Sequence, residues 1–315
     1  MSTAQAETPV RAPEKGPGRG SQAAQQRRLA MWLLLPSAVA VFGVVVYPVL
    51  RTLLISFFEV NSALATETPF VGLQNYASVL TDAGFWAAIG RTMYFTVVST
   101  ALELLLGLGL AALLQAEIRG RWLFRAIVVV PWAVPTIVNA AMWKGIFNAQ
   151  YGALNGLLTQ VGLLDEYKAW LGDPWLALNA VVVADVWKTT PLVAFFLLAG
   201  LSSIPKELYE AAKIDRASTW RTFRSITLPL LVPSIAIVVV LRTVEAFKVF
   251  DIIYGMTRGG PANGTQTIAY FAYTTAFSDQ QYGVGSAISY LIVLVILALS
   301  AVYLRLLRRS ETSLL

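Results

Sequence analysis

The amino-acid sequence predicts an all-α integral membrane protein with six transmembrane helices and a short cytoplasmic helix between the fourth and the fifth. Of its 315 residues, 57% are hydrophobic and only 13% are charged, whereas soluble domains carry about a quarter charged residues. The apolar residues form six runs, each long enough to cross a hydrocarbon core of about 30 Å. Because lipid offers the backbone no hydrogen-bond partner, each run is predicted to be helical.

The six predicted spans differ in how many ionisable residues they contain. The first, third and sixth each include a charge-free stretch of spanning length, whereas the other three carry charge. Charge within a span is costly, so it indicates either a function or pairing between helices. The predicted spans are 29–58, 88–115, 122–147, 175–201, 228–255 and 282–307. The ionisable residues of the second, fourth and fifth spans are Arg91, Glu103, Asp185, Lys188, Arg242, Glu245, Lys248 and Asp251.

Residues 1–28 precede the first span and are rich in Ala, Gln, Gly and Pro without an apolar period. This composition predicts a disordered tail, which leaves residues 29–310 as the membrane domain. A signal peptide is the alternative interpretation, since Arg27 and Arg28 precede an apolar run that contains Ser37 and Ala38. The run is longer than the usual apolar region of a signal peptide, which favours an uncleaved first span.

The distribution of Lys and Arg predicts the orientation of the chain. The tail, the two stretches that follow the second and fourth spans, and the stretch after the sixth contain sixteen basic residues, whereas the alternate stretches contain two. Basic residues are enriched in cytoplasmic loops. Both termini are therefore predicted to be cytoplasmic, in a bacterial inner membrane. The net charge is +6, and the basic residues lie between the membrane spans. They therefore indicate contact with lipid rather than binding of nucleic acid.

Several classes of chemistry are excluded by missing residue types. The chain has no cysteine and no histidine, so thiolate metal sites, a cysteine nucleophile and a Ser-His-Asp triad are impossible. The sequence also lacks a P-loop of the form GxxxxGK[ST], so the chain is not expected to bind ATP. No metal site, no cofactor and no catalytic residue are predicted.

The stretch 202–228, between the fourth and fifth spans, is too long for a tight connection and predicts a helix of its own. Pro205 suits the start of a helix, and Glu207 and Glu210 place negative charge near its positive end. Small and apolar residues recur at spacings of three and four and give this helix a narrow face. Such a face suits docking into a partner, while an interfacial helix lying on anionic lipid is the alternative.

The order of residues in this stretch resembles the EAA loop of permease subunits in binding-protein-dependent ABC importers. The matching residues are Glu210-Ala211-Ala212, Asp215, Ala217, Phe223 and Ile226-Thr227-Leu228-Pro229. In that family the loop forms a coupling helix that sits in a cleft of the cytoplasmic ATPase. The resemblance therefore implies contacts with an ATPase for Glu207, Glu210, Ala211, Ala212, Asp215, Arg216 and Ala217. The family usually has glycine at the position of Arg216, where glycine suits a turn between two short helices.

The resemblance extends over residues 28–310 and points to the carbohydrate branch of the family, which handles maltose, trehalose or glycerol 3-phosphate. The strings that carry it are Tyr47-Pro48, Gly72-Leu73-Gln74-Asn75-Tyr76, Arg119-Gly120, Val130-Pro131-Trp132-Ala133-Val134-Pro135, Trp187-Lys188-Thr189-Thr190-Pro191 and Gly259-Gly260-Pro261. The Trp-Lys-Thr-Thr-Pro string is most similar to disaccharide permeases. The implied fold is the transmembrane domain of a type I ABC importer.

Resemblance to the maltose permease also implies a sugar site at eight positions. They are Trp132, Thr136, Thr189, Leu192, Arg242, Glu245, Ala246 and Val249. Four of them have side chains able to stack on a sugar or bond its hydroxyls, and these are Trp132, Thr136, Arg242 and Glu245. Two alternatives are structural, with Trp132 as an aromatic residue of the membrane interface and Arg242 and Glu245 as an ion pair.

The other ionisable residues within spans are expected to form pairs. Asp185 and Lys188 are three residues apart, which predicts a local pair. Glu103 has no partner on its own helix and is expected to bond a neighbouring span or the partner permease. The fifth span alternates in sign every three residues, which is compatible with a ladder of neutralising pairs. Small residues at Gly107, Gly109, Ala111 and Ala112 predict close helix approach.

The resemblance implies a non-catalytic permease subunit of an ATP-driven importer for an oligosaccharide, with an α-linked disaccharide such as trehalose or maltose expected. It also implies a second, homologous permease as heterodimer partner, two copies of an ATPase that bind ATP and Mg²⁺, and an extracytoplasmic sugar-binding protein. One alternative is an importer of glycerol 3-phosphate or another sugar phosphate, with Arg242 on the phosphate. Others are an ion-coupled secondary carrier and an integral-membrane enzyme.

Overall fold

The computed structural model describes residues 19–62, 64, 67–116 and 120–312. In these residues the chain is helical, and the only β feature is an isolated bridge between Phe58 and Phe70. The predicted all-α fold is therefore confirmed. Part of the predicted tail, residues 1–18, lies outside the described residues, as does Arg119 of the Arg119-Gly120 string.

Fourteen α-helices make up the described part of the chain. They are α1 (Arg19–Val41), α2 (Tyr47–Ile55), α3 (Gln74–Thr81), α4 (Ala83–Gln115), α5 (Arg121–Ala133), α6 (Thr136–Ile146), α7 (Ala153–Gln160), α8 (Pro174–Ser202), α9 (Lys206–Ile214), α10 (Thr219–Thr222), α11 (Leu228–Phe247), α12 (Asp251–Met256), α13 (Ile268–Tyr273) and α14 (Tyr282–Thr312). Short π-helical turns at Phe42–Val46, Phe223–Thr227 and Thr274–Ser278 join α1 to α2, α10 to α11 and the end of α13 to a loop.

Five stretches in the described residues are long and apolar enough to cross a membrane, and they are Gln26–Ile55, Ala83–Gln115, Pro174–Ser202, Thr219–Phe247 and Tyr282–Tyr303. The pair α5 and α6 adds a sixth if it counts as one span, but the two helices meet at 91°. The six predicted spans therefore correspond to these elements, with altered bounds.

The described residues up to 54 and those from 55 onward form two compact units. In the first unit, the helix begins at Arg19, inside the stretch predicted to be disordered. The reason is local, because Ala, Gln and Arg are good helix formers and they continue directly into the apolar run.

The second unit is organised around α4 and α8, which pack along most of their length. Seventeen residues of α8 are buried, and the helix is capped by the preceding Asp173, whose side chain accepts hydrogen bonds from the backbone N–H of Trp175 and Leu176. The close approach of α4 and α8 depends on Gly107, because a Cβ atom there would lie 2.6 Å from Val193 Cγ1. Gly109 has open space around it, so only part of the predicted small-residue stripe is at this interface.

Two predicted spans are not continuous helices. The third breaks between α5 and α6, where Val134 is extended and Pro135 has no N–H to donate. The fifth ends at Phe247, and a new helix starts at Asp251. The prediction of one helix over 228–255 was therefore wrong. Irregular backbone inside a membrane protein is tolerated where it lines a cavity, and both breaks do.

Candidate functional site

A cavity of about 370 Å³ lies where the two helix breaks face α8. The break after α5 contributes Trp132 and Thr136, α8 contributes one face, and the break after α11 closes the other side. The remaining lining residues are Asp185, Lys188, Thr189, Leu192, Arg242, Glu245, Lys248, Val249, Phe250, Asp251 and Ile252. The helix breaks thus bring side chains from distant parts of the sequence to one place.

Seven of the eight positions expected to form a sugar site line this cavity. They are Trp132, Thr136, Thr189, Leu192, Arg242, Glu245 and Val249. The eighth, Ala246, is buried and packs in the hydrophobic cluster around Phe95 and Val181. Ala246 does not line the cavity although Glu245 does, because neighbouring residues of a helix point about 100° apart.

Arg242 binds three carboxylates from three helices. Its Nε and Nη2 donate to the two carboxylate oxygens of Glu103 on α4, the Nη2 bond being 2.7 Å long. Nη2 also donates to Asp185 Oδ2 on α8 at 2.9 Å, and Nη1 donates to Glu245 Oε2 at 3.2 Å. Four of the five guanidinium hydrogens are therefore used. The bidentate contact to Glu103 confirms the expected bond from this residue to a neighbouring span.

Exposure separates the members of this charged cluster, which consists of Glu103, Asp185, Arg242 and Glu245. The side chains of Glu103 and Arg242 are 0% and 5% exposed, Asp185 is 13% exposed, and Glu245 is 43% exposed. Arg242 therefore ties α4, α8 and α11 together and orients Glu245, whose carboxylate faces the cavity. Only the first step of the expected charge ladder forms, because α11 ends before Lys248.

The expected pair between Asp185 and Lys188 does not form. Asp185 bonds Arg242 instead, and Lys188 Nζ donates to the backbone oxygen of Trp132 at 3.3 Å. The break at Pro135 leaves this carbonyl without its helical N–H partner. A cation at the end of α5 also suits the negative end of a helix. Lys188 therefore stabilises the break that shapes the cavity.

The cavity combines aromatic surface with polar groups of both hydrogen-bonding types. Trp132 and Phe250 supply ring surfaces, Thr136 and Thr189 supply hydroxyls, and Glu245 supplies an acceptor. In the part of the chain that the structure describes, no cluster of acidic side chains is arranged to hold a metal ion. This combination suits a ligand with several hydroxyls and an apolar ring face.

The resemblance did not identify every residue of the cavity. Phe250 and Ile252 carry no sequence signal, because their position depends on the break that ends α11. Asp185, Lys188, Lys248 and Asp251 were recognisable only as charges within apolar spans. Glu103 is not in the cavity wall, yet it is the main partner of Arg242.

The segment Lys206 to Thr222, here called the connecting segment, contains α9 and α10. Glu207 lies in the first turn of α9 and Lys213 in its last, which suits the helix dipole. The predicted helix reaches to Arg216, but α9 ends at Ile214. Arg216 N–H bonds Lys213 O and Ala217 N–H bonds Ala212 O, which is the hydrogen-bond pattern of a Schellman motif.

Arg216 has a φ of +54° and so occupies the left-handed position of this motif. Glycine favours that backbone, and a residue with a Cβ adopts it at a cost of about 1–2 kcal/mol. The turn expected between two short helices is therefore present, with an arginine in it. Ser218 then starts α10, and its Oγ accepts a hydrogen bond from Arg221 N–H.

The connecting segment is mostly exposed. Ala212 is its only buried residue, whereas Glu207, Glu210, Ala211, Asp215 and Arg216 are exposed and Ala217 is half-buried. Ile214 and Trp220 are large apolar residues that are 82% and 69% exposed. Among the seven residues expected to touch an ATPase, five therefore have accessible side chains on one short stretch of chain.

Residues 103–314 match the family described as the binding-protein-dependent transport system inner membrane component. The trehalose/maltose transport system permease protein MalF of Thermococcus litoralis is 43% identical over 281 residues, which cover 89% of this chain and 94% of that protein. The sulfoquinovosyl glycerol transport system permease protein SmoG of Agrobacterium fabrum is 36% identical over 285 residues, covering 90% and 92%.

A solved structure has a similar fold. It is a chain from the crystal structure of a bacterial ABC transporter involved in the import of the acidic polysaccharide alginate, with a TM-score of 0.80. The match covers 92% of this chain and 99% of that chain at 21% sequence identity. This likeness supports the expected type I importer fold.

Proposed function

We propose that this chain, which belongs to the family of binding-protein-dependent transport system inner membrane components, is the permease subunit of an importer for an α-linked disaccharide such as trehalose or maltose. Family membership makes it a non-catalytic transport subunit. It also excludes the ion-coupled carrier and the membrane enzyme that the sequence left open.

The observation that carries the proposal is the chemistry of the cavity. A pyranose has apolar C–H faces and a rim of hydroxyls, so aromatic faces and fixed acceptors are needed together. Trp132 and Phe250 would stack on the sugar, while Glu245 and Thr136 would bond its hydroxyls. The name of the relative from Thermococcus litoralis supports the same class of ligand.

The proposed assembly contains more chains than this one. A second, homologous permease would complete the path, two ATPase subunits would bind ATP and Mg²⁺, and a sugar-binding protein would deliver the ligand outside the cell. Both termini and the connecting segment would then be cytoplasmic, in keeping with the excess of basic residues there. This chain would hold no cofactor of its own.

Coupling would run through α9. Closure of the ATPases on ATP would move the exposed face that contains Glu207, Glu210 and Ala211. The segment continues through the π-helical turn at Phe223–Thr227 directly into α11, which holds Arg242 and Glu245. A shift of α9 would pass through the turn at Arg216 into the continuous helix Thr219–Phe247, reach the cavity and expose it to alternate sides of the membrane.

An anionic substrate is the second candidate. The alternative with phosphate on Arg242 fits the structure poorly, because three carboxylates already neutralise this guanidinium. Lys248 is the better-placed cation, since it lines the cavity and forms no ion pair within the described residues. The printed name of the relative from Agrobacterium fabrum gives a separate reason to test an anionic glycoside.

The test is ATPase activity of the reconstituted complex with its binding protein. Trehalose, maltose, glycerol 3-phosphate and sulfoquinovosyl glycerol would be titrated in turn. We expect stimulation by a neutral disaccharide and reduced stimulation in Glu245→Gln. Stimulation by an anionic compound alone would favour the second candidate, and a chain that purifies without any ATPase would contradict both.

A further inference from the structure

Six aromatic side chains form a continuous row that starts at the wall of the cavity. The row runs from the break after α11, through α12 and α13, to the first residue of α14. Its members, here called the aromatic row, are Phe250, Tyr254, Tyr270, Tyr273, Phe277 and Tyr282. Centroids of neighbouring rings are 5.0 to 6.0 Å apart. Phe250 itself lines the cavity, so the row is continuous with the site.

Exposure varies along the row: Tyr270 is buried in the hydrophobic cluster around Phe95 and Val181, whereas the other five rings keep accessible surface. Phe277, near the end farthest from the cavity, is 62% exposed, and Tyr254 is 38% exposed. Tyr273 is half-buried and contacts both of them, at centroid distances of 5.8 Å to Tyr254 and 5.3 Å to Phe277. Five of the six rings therefore present accessible surface, and Tyr270 belongs to the core.

The hydroxyl groups of the row are also unusual. None of the described residues hydrogen-bonds to the hydroxyl of Tyr254, Tyr270 or Tyr273, although Tyr270 is 7% exposed. Elsewhere in the unit tyrosine hydroxyls are paired, since Tyr94 donates to Asn179 Oδ1 and Tyr209 bonds Thr227. Burial raises the pKa of Tyr270, and the neighbouring Tyr273 adds to the rise, so this phenol remains protonated.

We propose that the aromatic row is a sugar-binding surface that leads the disaccharide to the cavity, a role that rests on the proposed function. Stacked rings hold the apolar faces of successive pyranoses, and the unpartnered tyrosine hydroxyls bond their rims. The row contains no charge and no single deep pocket. It therefore holds sugar weakly at several positions, which favours movement along it over retention.

The position of the row fits this role. It lies in the stretch 250–282, from the end of the predicted fifth span to the start of the sixth, on the side that the excess of basic residues elsewhere predicts to face outside the cell. A sugar released there would meet Phe277 first and Phe250 last. From Phe250 the next aromatic surface of the cavity is Trp132.

The experiment measures ATP-driven uptake of the labelled disaccharide into proteoliposomes that contain the whole complex, with saturating binding protein. The variants are Tyr254→Leu and Phe277→Leu, which keep apolar volume but remove the ring, and Tyr254→Phe, which keeps the ring. We expect uptake to fall about threefold to tenfold in each leucine variant, as loss of an aromatic contact predicts. Tyr254→Phe should retain more than half of the wild-type rate.

Trp175→Leu is the matched control. Trp175 is an exposed ring at the start of α8 that contacts Tyr94 and lies outside the row and the cavity. Its replacement should leave uptake unchanged. Phe277 is so exposed that its leucine variant is expected to fold, and co-purification of the ATPase with each variant checks this.

The outcomes separate the two proposals. If the wild-type complex takes up the disaccharide and both leucine variants take it up at the same rate, the proposed role of the aromatic row is wrong. The proposed function is not affected by that result. Failure of the wild-type complex to transport any neutral disaccharide would overturn the proposed function and the row with it. If Phe277→Leu weakens binding of the binding protein but not uptake at saturation, the row is a protein-docking surface and the proposal is wrong.

Discussion

The side chains of the charged cluster come from three helices, whereas those of the connecting segment all come from one short stretch of chain. In the cluster, Arg242 is buried and its hydrogens are almost all used by carboxylates of the same chain. In the connecting segment, Glu207, Glu210 and Asp215 are exposed and take part in no ion pair within the described residues. The first region is complete in one chain, and the second presents surface that a partner can use.

This difference predicts where substitutions affect stability and where they affect coupling. Removing one member of a buried ion pair leaves an uncompensated charge and costs about 3–5 kcal/mol, whereas an exposed charge contributes about 0–1 kcal/mol. Changes at the buried members of the charged cluster, Glu103, Asp185 and Arg242, should therefore destabilise the subunit. Changes in the connecting segment should leave the subunit folded but alter its coupling to partner subunits.

The largest expected effect is that of Arg242→Met. It leaves Glu103 and Asp185 buried without a counter-charge, so the free energy of unfolding should fall by about 3–5 kcal/mol. Denaturant unfolding of the purified complex measures this. Glu245→Gln is the control, because its half-exposed carboxylate should change the same free energy by less than about 1 kcal/mol. Equal stability of the two variants would contradict the structural role of Arg242.

A second expected effect concerns the contact that brings Glu103 and Asp185 together. Gly107→Ala places a Cβ atom 2.6 Å from Val193 Cγ1, so α4 and α8 must separate at a cost of about 1–3 kcal/mol. Gly109→Ala is matched to it on the same helix but has nothing within 4 Å. That control should be neutral or slightly stabilising, since alanine is the better helix former. Thermal unfolding of both variants would show no difference if the close approach is unimportant.

The third prediction applies to the connecting segment. Glu210→Lys should leave the subunit folded and in the membrane but lower uptake at least about tenfold, which corresponds to about 1.4 kcal/mol of coupling free energy. ATP hydrolysis and uptake, measured together in proteoliposomes, give the ratio of sugar transported to ATP consumed. Glu166→Lys reverses an exposed charge in the loop before α8 and should not change that ratio. A normal ratio in Glu210→Lys would remove the coupling role from α9.

The two regions also differ in how well the sequence predicts them. The connecting segment follows from consecutive residues, since Pro205, Glu207 and the spacing of Ala211 and Ala212 specify a short helix by local rules. The charged cluster depends on tertiary geometry. The sequence indicated that Glu103 needs a partner on another helix, but it could not say that this partner is Arg242 or that Asp185 shares it.

The helix breaks explain most of the remaining errors. An apolar run shows that a segment can lie in a membrane, but it does not show whether the helix is continuous. The helix breaks at Pro135, and Lys188 donates to the unpaired carbonyl of Trp132 from 56 residues away. No local rule predicts that contact. The same limit applies to Phe250, which reaches the cavity only because α11 stops at Phe247.

The smallest expected effect is that of Arg216→Gly, and its sign distinguishes backbone strain from a side-chain role. At a φ of +54° glycine avoids the cost of about 1–2 kcal/mol that a Cβ imposes, but it loses about 0.5–1 kcal/mol through the flexibility of the unfolded chain. The variant should therefore be more stable by about 0.5 kcal/mol in thermal unfolding. Asp215→Gly, one residue earlier at a φ of −73°, gains nothing from the backbone and should lose stability. If Arg216→Gly is also less stable, the guanidinium contributes a contact that outweighs the strain.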